Sequence, residues 1–210
     1  MSAAWAVVIE GDALNLMLGL DRDSRALAAS QAINKVTAST RTELARRIRA
    51  EINLPASYVA PAQGRLAVTR LASPTQLLST ITARGRATSL ARFVTSASAL
   101  NKPGVGVSVS PGRSVFLKSA FLIRLPGVMG ETDAAFGNIA LAVRLPRGAR
   151  MKNKNTARVG KSGLYVLYGP SVAQAFENNS GSGLKQDILP EVANDLGIEF
   201  LRLISRSRNA

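Results

Sequence analysis

Apolar residues follow two different periods along this chain. From about Ser24 to Ile52 they recur every three or four positions, at Ile33, Val36, Thr40, Leu44, Ile48 and Ile52. That spacing puts them on one face of a long helix. Asp21 or Asp23 suits its start, and Pro55 stops it after Leu54, which is biased toward extended geometry. A second helical stripe, Ile188, Val192, Leu196, Phe200 and Leu203, predicts a closing helix from about Lys185 to Ser205. Pro190 is expected in its first turn, so that the regular helix begins near Leu189. Between the two stripes the period drops to two. Val105, Val107 and Val109 alternate, then Phe121, Ile123 and Leu125, then Ile139, Leu141, Val143 and Leu145. Pro111-Gly112 and Pro126-Gly127 mark turns between them. Shorter strand candidates are Trp5 to Ile9, Arg65 to Leu71, Leu77 to Ala83, Thr88 to Val94 and Gly163 to Tyr168.

The predicted fold is α+β: a long N-terminal helix and a C-terminal helix packed on a twisted, mainly antiparallel β-sheet. A single domain over 1–210 is expected. It would comprise an arm or strand at 1–21, the long helix at 22–53, a β-rich region at 65–172 with a basic loop at 147–163, and the closing helix at 185–206. Asn178 to Gly183 reads as a flexible linker.

Composition narrows the chemistry. The 210 residues include no His and no Cys. The usual Cys/His zinc ligands, a Ser-His-Asp triad, a thiol nucleophile and a disulfide framework are therefore all unavailable. Val159-Gly160-Lys161-Ser162 resembles the end of a phosphate-binding loop, but Asn155 stands where that motif needs Gly. Gly104-Val105-Gly106 lacks the third glycine of a dinucleotide fingerprint. The carboxylate pairs Asp21/Asp23 and Glu131/Asp133 read as a helix start and a polar loop. No enzyme activity, metal or cofactor is expected.

Charge points elsewhere. There are 27 Lys plus Arg against 13 Asp plus Glu, a net charge of +14. No acidic residue lies between Glu51 and Glu131, whereas nine basic ones do: Arg65, Arg70, Arg84, Arg86, Arg92, Lys102, Arg113, Lys118 and Arg124. Such a surplus is either a solvated basic face or a surface that meets a polyanion, whether DNA or an acidic protein. No basic recognition helix, zinc finger or RNA-stacking aromatic cluster appears, so base reading is not expected. The cluster Arg202, Arg206 and Arg208 suits the negative end of the last helix. A membrane span is not expected, because the most apolar stretch, Ala3 to Leu20, is broken by Glu10, Asp12 and Asn15. Neither a secretion signal nor a lipid anchor is expected.

Tyr165, Tyr168 and Phe176 form the densest aromatic group. They fit either a turn that packs a strand end onto a helix or an exposed anchor at a subunit interface. The run Leu167-Tyr168-Gly169-Pro170-Ser171-Val172, followed by Phe176-Glu177, resembles the "LYGPSV…F" element of the minor tail protein Z family of tailed phages and prophages. Ala32-Ile33-Asn34-Lys35-Val36 resembles that family's "A-I-N-R-V" segment, Leu90-Ala91-Arg92-Phe93 its next element, and Ala120-Phe121-Leu122-Ile123 its "G-A-F-I" strand. The resemblance runs from about residue 25 to 205. Ser119 stands where the family often has Gly, and Gly163-Leu164-Tyr165-Val166 replaces a Pro-Ile segment.

What the resemblance implies is a virion structural protein assembled in the host cytoplasm. It would complete the tail at its head-proximal end, as a homo-oligomeric ring (a hexamer) around the DNA channel. Its neighbours would be further copies of itself, the tail terminator or tail tube, and the head connector, with genomic DNA passing through unread. On that reading Arg84, Arg86, Arg92, Lys102, Arg147, Arg150, Lys152, Lys154, Arg158 and Lys161 are candidate contacts to DNA or an acidic partner. Leu167, Tyr168, Gly169, Pro170, Ser171 and Phe176 are candidate interface or family-motif residues. The alternative is a non-specific nucleic-acid-binding accessory protein.

Overall fold

The computed structural model describes residues 3–8, 22–97, 100–125, 139–146, 149, 151, 155–159, 163–177 and 184–208. In chain order the elements are β1 (Ala3–Val8), α1 (Arg22–Glu51), β2 (Leu66–Arg70), β3 (Leu78–Ala83), β4 (Thr88–Ser89), β5 (Val94–Ala97), β6 (Val105–Val107), β7 (Val115–Leu117), β8 (Ala120–Arg124), β9 (Ile139–Arg144), β10 (Thr156–Val159), β11 (Leu164–Gly169), α2 (Val172–Glu177) and α3 (Leu184–Arg208). The chain is α+β, with an N-terminal and a C-terminal helix and antiparallel curled sheets. The strands form three ladders, and the chain divides into two compact units. The first combines residues 1–48, 56–85 and 172–210; the second combines 49–55 and 86–171.

The first unit holds nearly all the helix. Its part of α1 buries Ile33, Val36, Thr40, Leu44 and Ile48 of the predicted stripe, and Ala28 and Ala32 besides. At 30 residues α1 is about 45 Å long. Ala28 and Ala32 meet Phe200 and Ile204 of α3, with Ala29, Leu196 and Leu203 at the margin. Small side chains on α1 leave room for the large ones of α3. Burying Phe200 and Ile204 contributes roughly 1.5–3 kcal/mol each. The three-stranded sheet runs β1-β3-β2, both pairs antiparallel.

Helix α3 begins at Leu184, five residues before the expected regular start, and carries Pro190 inside it. Pro190 is exposed, and without an N–H it cannot bond the carbonyl of Gln186 one turn back.

Polar side chains of α1 fix the neighbouring loops. Asn34 Nδ2 donates to the Ala72 carbonyl at 2.9 Å, and Asn34 Oδ1 accepts the Ala72 N–H at 2.7 Å. Arg41, only 8% exposed, donates from Nε to the Leu66 carbonyl at 3.0 Å and from its guanidinium to the Val59 carbonyl. Burial pulls its pKa below the ordinary arginine value. Arg65 lies over the Tyr58 ring at 4.0 Å.

Two carboxylates join α1 to α3. Glu199 accepts from Arg202 at 2.6 Å and from Lys35 at 2.7 Å. Arg47 donates to Glu43 on its own helix at 2.7 Å and to Glu191 on α3 at 2.6 Å. Hydrogen bonds from Arg202 and Lys35 hold the Glu199 pKa down to about 2, and those from Arg46 and Arg47 do the same for Glu43. A folded-state pKa below the unfolded value means stability that is complete above the ordinary carboxylate pKa. It is lost as pH falls from about 4.5 toward 2. Melting temperature should therefore drop across that window, and Glu43→Gln with Glu199→Gln should flatten the drop. A wild-type acid limb retained in full by the double variant would show that other groups set it.

The second unit is built from strands. Its larger sheet runs β10-β11-β9-β8, with β4 also paired to β11; its smaller sheet runs β5-β6-β7. All of these pairs are antiparallel. The 100–104 segment ties onto β8 through the Asn101 N–H to the Leu122 carbonyl at 2.8 Å and the Gly104 N–H to the Ala120 carbonyl at 2.9 Å. The core is Ile123, Leu125, Ala140, Ala142 and Val166, edged by Phe121, Val159, Leu164 and Tyr168.

Three expectations change here. β9 buries Ala140, Leu141, Ala142 and Val143 in succession, so both of its faces are covered and not one alone. The basic stretch 147–163, expected as loop, contains β10, because Thr156 to Val159 pairs with Leu164 to Leu167 of β11. Val107 ends β6, so the third Val of the alternation, Val109, lies beyond the strand.

Candidate nucleic-acid interface

The two units differ sharply in charge. The second carries 14 basic and 3 acidic residues, a net +11, while the first carries 13 and 10, a net +3. Most of the positive charge therefore belongs to the β-rich unit. Strand geometry decides how it is displayed. Residues directly opposite in a ladder share a face, and neighbours along a strand alternate. Arg124 stands opposite Ile139, Val143 opposite Tyr165, and Tyr165 opposite Arg158. Arg124 and Arg158 thus lie on one face of the larger sheet, and both are exposed. Arg144, also exposed, stands opposite Leu164 and shares the other face with Ala140 and Ala142.

Of the predicted contact residues, Arg86 and Lys102 are exposed. Arg92 is half-buried on a 3-10 turn, Leu90–Phe93, with its Nε enclosed. Arg84 is half-buried and belongs to the first unit, where its carbonyl accepts the Ala173 N–H at 3.1 Å. Arg84, Arg92 and Arg158 each make a contact within the chain. Arg147, Arg150, Lys152, Lys154 and Lys161 lie outside the described residues. The structure therefore groups Arg86, Arg92, Lys102 and Arg158 in one unit and does not group Arg84 with them.

The residues that this grouping adds are Arg113, Lys118, Arg124 and Arg144, all exposed. Their common signal is position: each stands at or just outside a strand end. Among the described residues, the side chains of Arg86, Lys102, Arg113, Lys118, Arg124 and Arg144 form no ion pair. Cations without internal carboxylates keep their full charge for an outside partner.

The aromatic motif serves packing. Tyr168 is half-buried against the core of the second unit. Gly169 is buried, and a Cβ there would stand 2.9 Å from the Phe93 ring, so Leu90 and Phe93 need a glycine beneath them. Ser171 is fully buried, Leu167 and Pro170 are half-buried, and the Phe176 side chain lies outside the described residues. The chain then enters α2 at Val172.

No described helix is long and apolar enough to cross a membrane. No protein-family model, curated protein or solved structure matches this chain.

Proposed function

We propose that the chain is a tail-completion protein of a tailed bacteriophage. In this reading identical copies form a ring, a hexamer, at the head-proximal end of the tail and join it to the head connector around the DNA channel. One observation carries the reading furthest: the β-rich unit holds a net charge of +11, and among its described residues Arg86, Lys102, Arg113, Lys118, Arg124 and Arg144 are exposed and form no ion pair. Beyond the last turn of α1, its described residues include no α-helix to enter a groove. A wall of cations without base readers attracts phosphate through counterion release and leaves sequence unread. DNA is then held while it stays free to slide, as a conduit requires. The ordered likeness of Ala32 to Val36, Leu90 to Phe93, Ala120 to Ile123 and Leu167 to Val172 to the minor tail protein Z family supplies the setting.

Cryo-electron microscopy of virion necks tests this directly. The expected result is a ring of this chain between connector and tail tube, with unjoined heads and tails when its gene is deleted. Particles that lack the chain and still join normally would refute the reading. Tight, salt-sensitive DNA binding by the isolated monomer would favour the accessory nucleic-acid-binding role instead.

A further inference from the structure

We propose that strand β7 is the docking edge for residues 9–21 of a second copy of this chain. The inference deepens the ring reading by naming the contact between neighbouring copies.

Among the described residues β7 ends the order β5-β6-β7 and pairs with β6 alone, through Val105–Leu117, Gly106–Phe116 and Val107–Val115. Its outer edge therefore offers backbone donors and acceptors. The strand is also apolar and open: Phe116 is 62% exposed and Val115 52%, with Leu100 at 43%. These three are the large apolar side chains strongly exposed among the described residues of the β-rich unit. Phe116 is seated on Gly104, where an added Cβ would stand 3.1 Å from the ring. A ring held on a backbone floor gives an anchor with little rotamer freedom left to lose.

Proteins blunt a free edge by placing charge within the strand. Here the charges stand outside it: Arg113 two residues before β7, Lys118 just after it, and Lys102 on the neighbouring segment, all exposed. An apolar edge with basic ends calls for an apolar strand with acidic ends.

The sequence contains one. Residues 9–21 hold three acids, Glu10, Asp12 and Asp21, and no base. Between the acids, Leu14, Leu16, Leu18 and Leu20 recur at every second position. That period is the signature of a strand that buries one face. Added to β7, such a strand gains main-chain hydrogen bonds, sets its leucines against Val115 or Phe116, and brings the Glu10 and Asp12 carboxylates to the basic residues at one end of the edge. Edge and strand are different parts of the chain, so the contact is heterologous and propagates head to tail until it closes as a ring.

A charge swap in the full-length protein tests the pairing. Arg113→Glu with Lys118→Glu should weaken self-association at least tenfold in sedimentation at low salt, with an unchanged melting temperature. Glu10→Lys with Asp12→Lys should weaken it similarly, and the four changes together should restore it. Phe116→Ser should also weaken it, and higher salt should not rescue that variant. The inference falls if the wild type stays monomeric to about 100 μM, if the basic-end reversal has no effect, or if the fourfold variant fails to recover. A normal neck ring in virions that carry Arg113→Glu with Lys118→Glu would overturn this contact and leave the ring reading standing.

Discussion

Replacing Arg86, Lys102, Arg124 and Arg144 together by Ser should lower infectious titre at least ~100-fold while the protein still folds, on the counterion-release argument. All four side chains are exposed and belong to the unit of net charge +11. Each cation that meets a phosphate contributes roughly 0.9 to the log–log salt slope of binding, so four lost contacts remove between 3 and 4 from it, on the order of a thousandfold in affinity at moderate salt. Exposed substitutions of this kind change stability by about 0.5 kcal/mol or less each. The check is threefold: plaque titre, DNA content of purified particles, and the melting curve of the isolated variant. Lost titre with a normal melt is the expected pattern. Normal titre with full heads would remove DNA holding from these four side chains.

The second large effect is on folding. Arg41→Met should cost about 2–5 kcal/mol, because it leaves the buried carbonyls of Val59 and Leu66 without their donor. Methionine fills much of the same space, so the loss reports the hydrogen bonds more than a cavity. With domains typically stable by about 5–15 kcal/mol, that is a large share of the total. Urea midpoints should fall clearly for Arg41→Met and scarcely for Arg206→Met, whose parent side chain is exposed. Equal midpoints would mean that the 56–63 turns are held by other groups.

Much of this architecture was legible in the sequence, for a specific reason. The stripes Ile33 to Ile48 and Ile188 to Phe200 repeat over many turns, and a long period is hard to imitate by chance. Ile139 to Val143 announced a strand, but its small residues Ala140 and Ala142 hid the burial of its second face. β7 escaped notice because Val115, Phe116 and Leu117 are consecutive and mostly exposed, so no alternation marks them. Nothing in the helical period singles out Arg41, since its burial depends on turns contributed by residues 56 to 66. The acid-free stretch was plain from the start. Its division between the two units was not, because Arg65, Arg70 and Arg84 belong to the first and the other six cations to the second, and local patterning carries no mark of those boundaries.

The interrupted make-up of the first unit also bears on how the chain is born. Ala28 and Ala32 leave the ribosome well before the residues that cover them, Phe200 and Ile204, are made. At about 5–20 residues per second, the apolar stripe of α1 waits on the order of ten to thirty seconds for its cover. The β-rich unit, contiguous from 86 to 171 apart from a short insert supplied earlier, has all its strands before then. Synthesis thus completes the β-rich unit first and leaves the helical part open longest. Chaperone demand should centre on that helix.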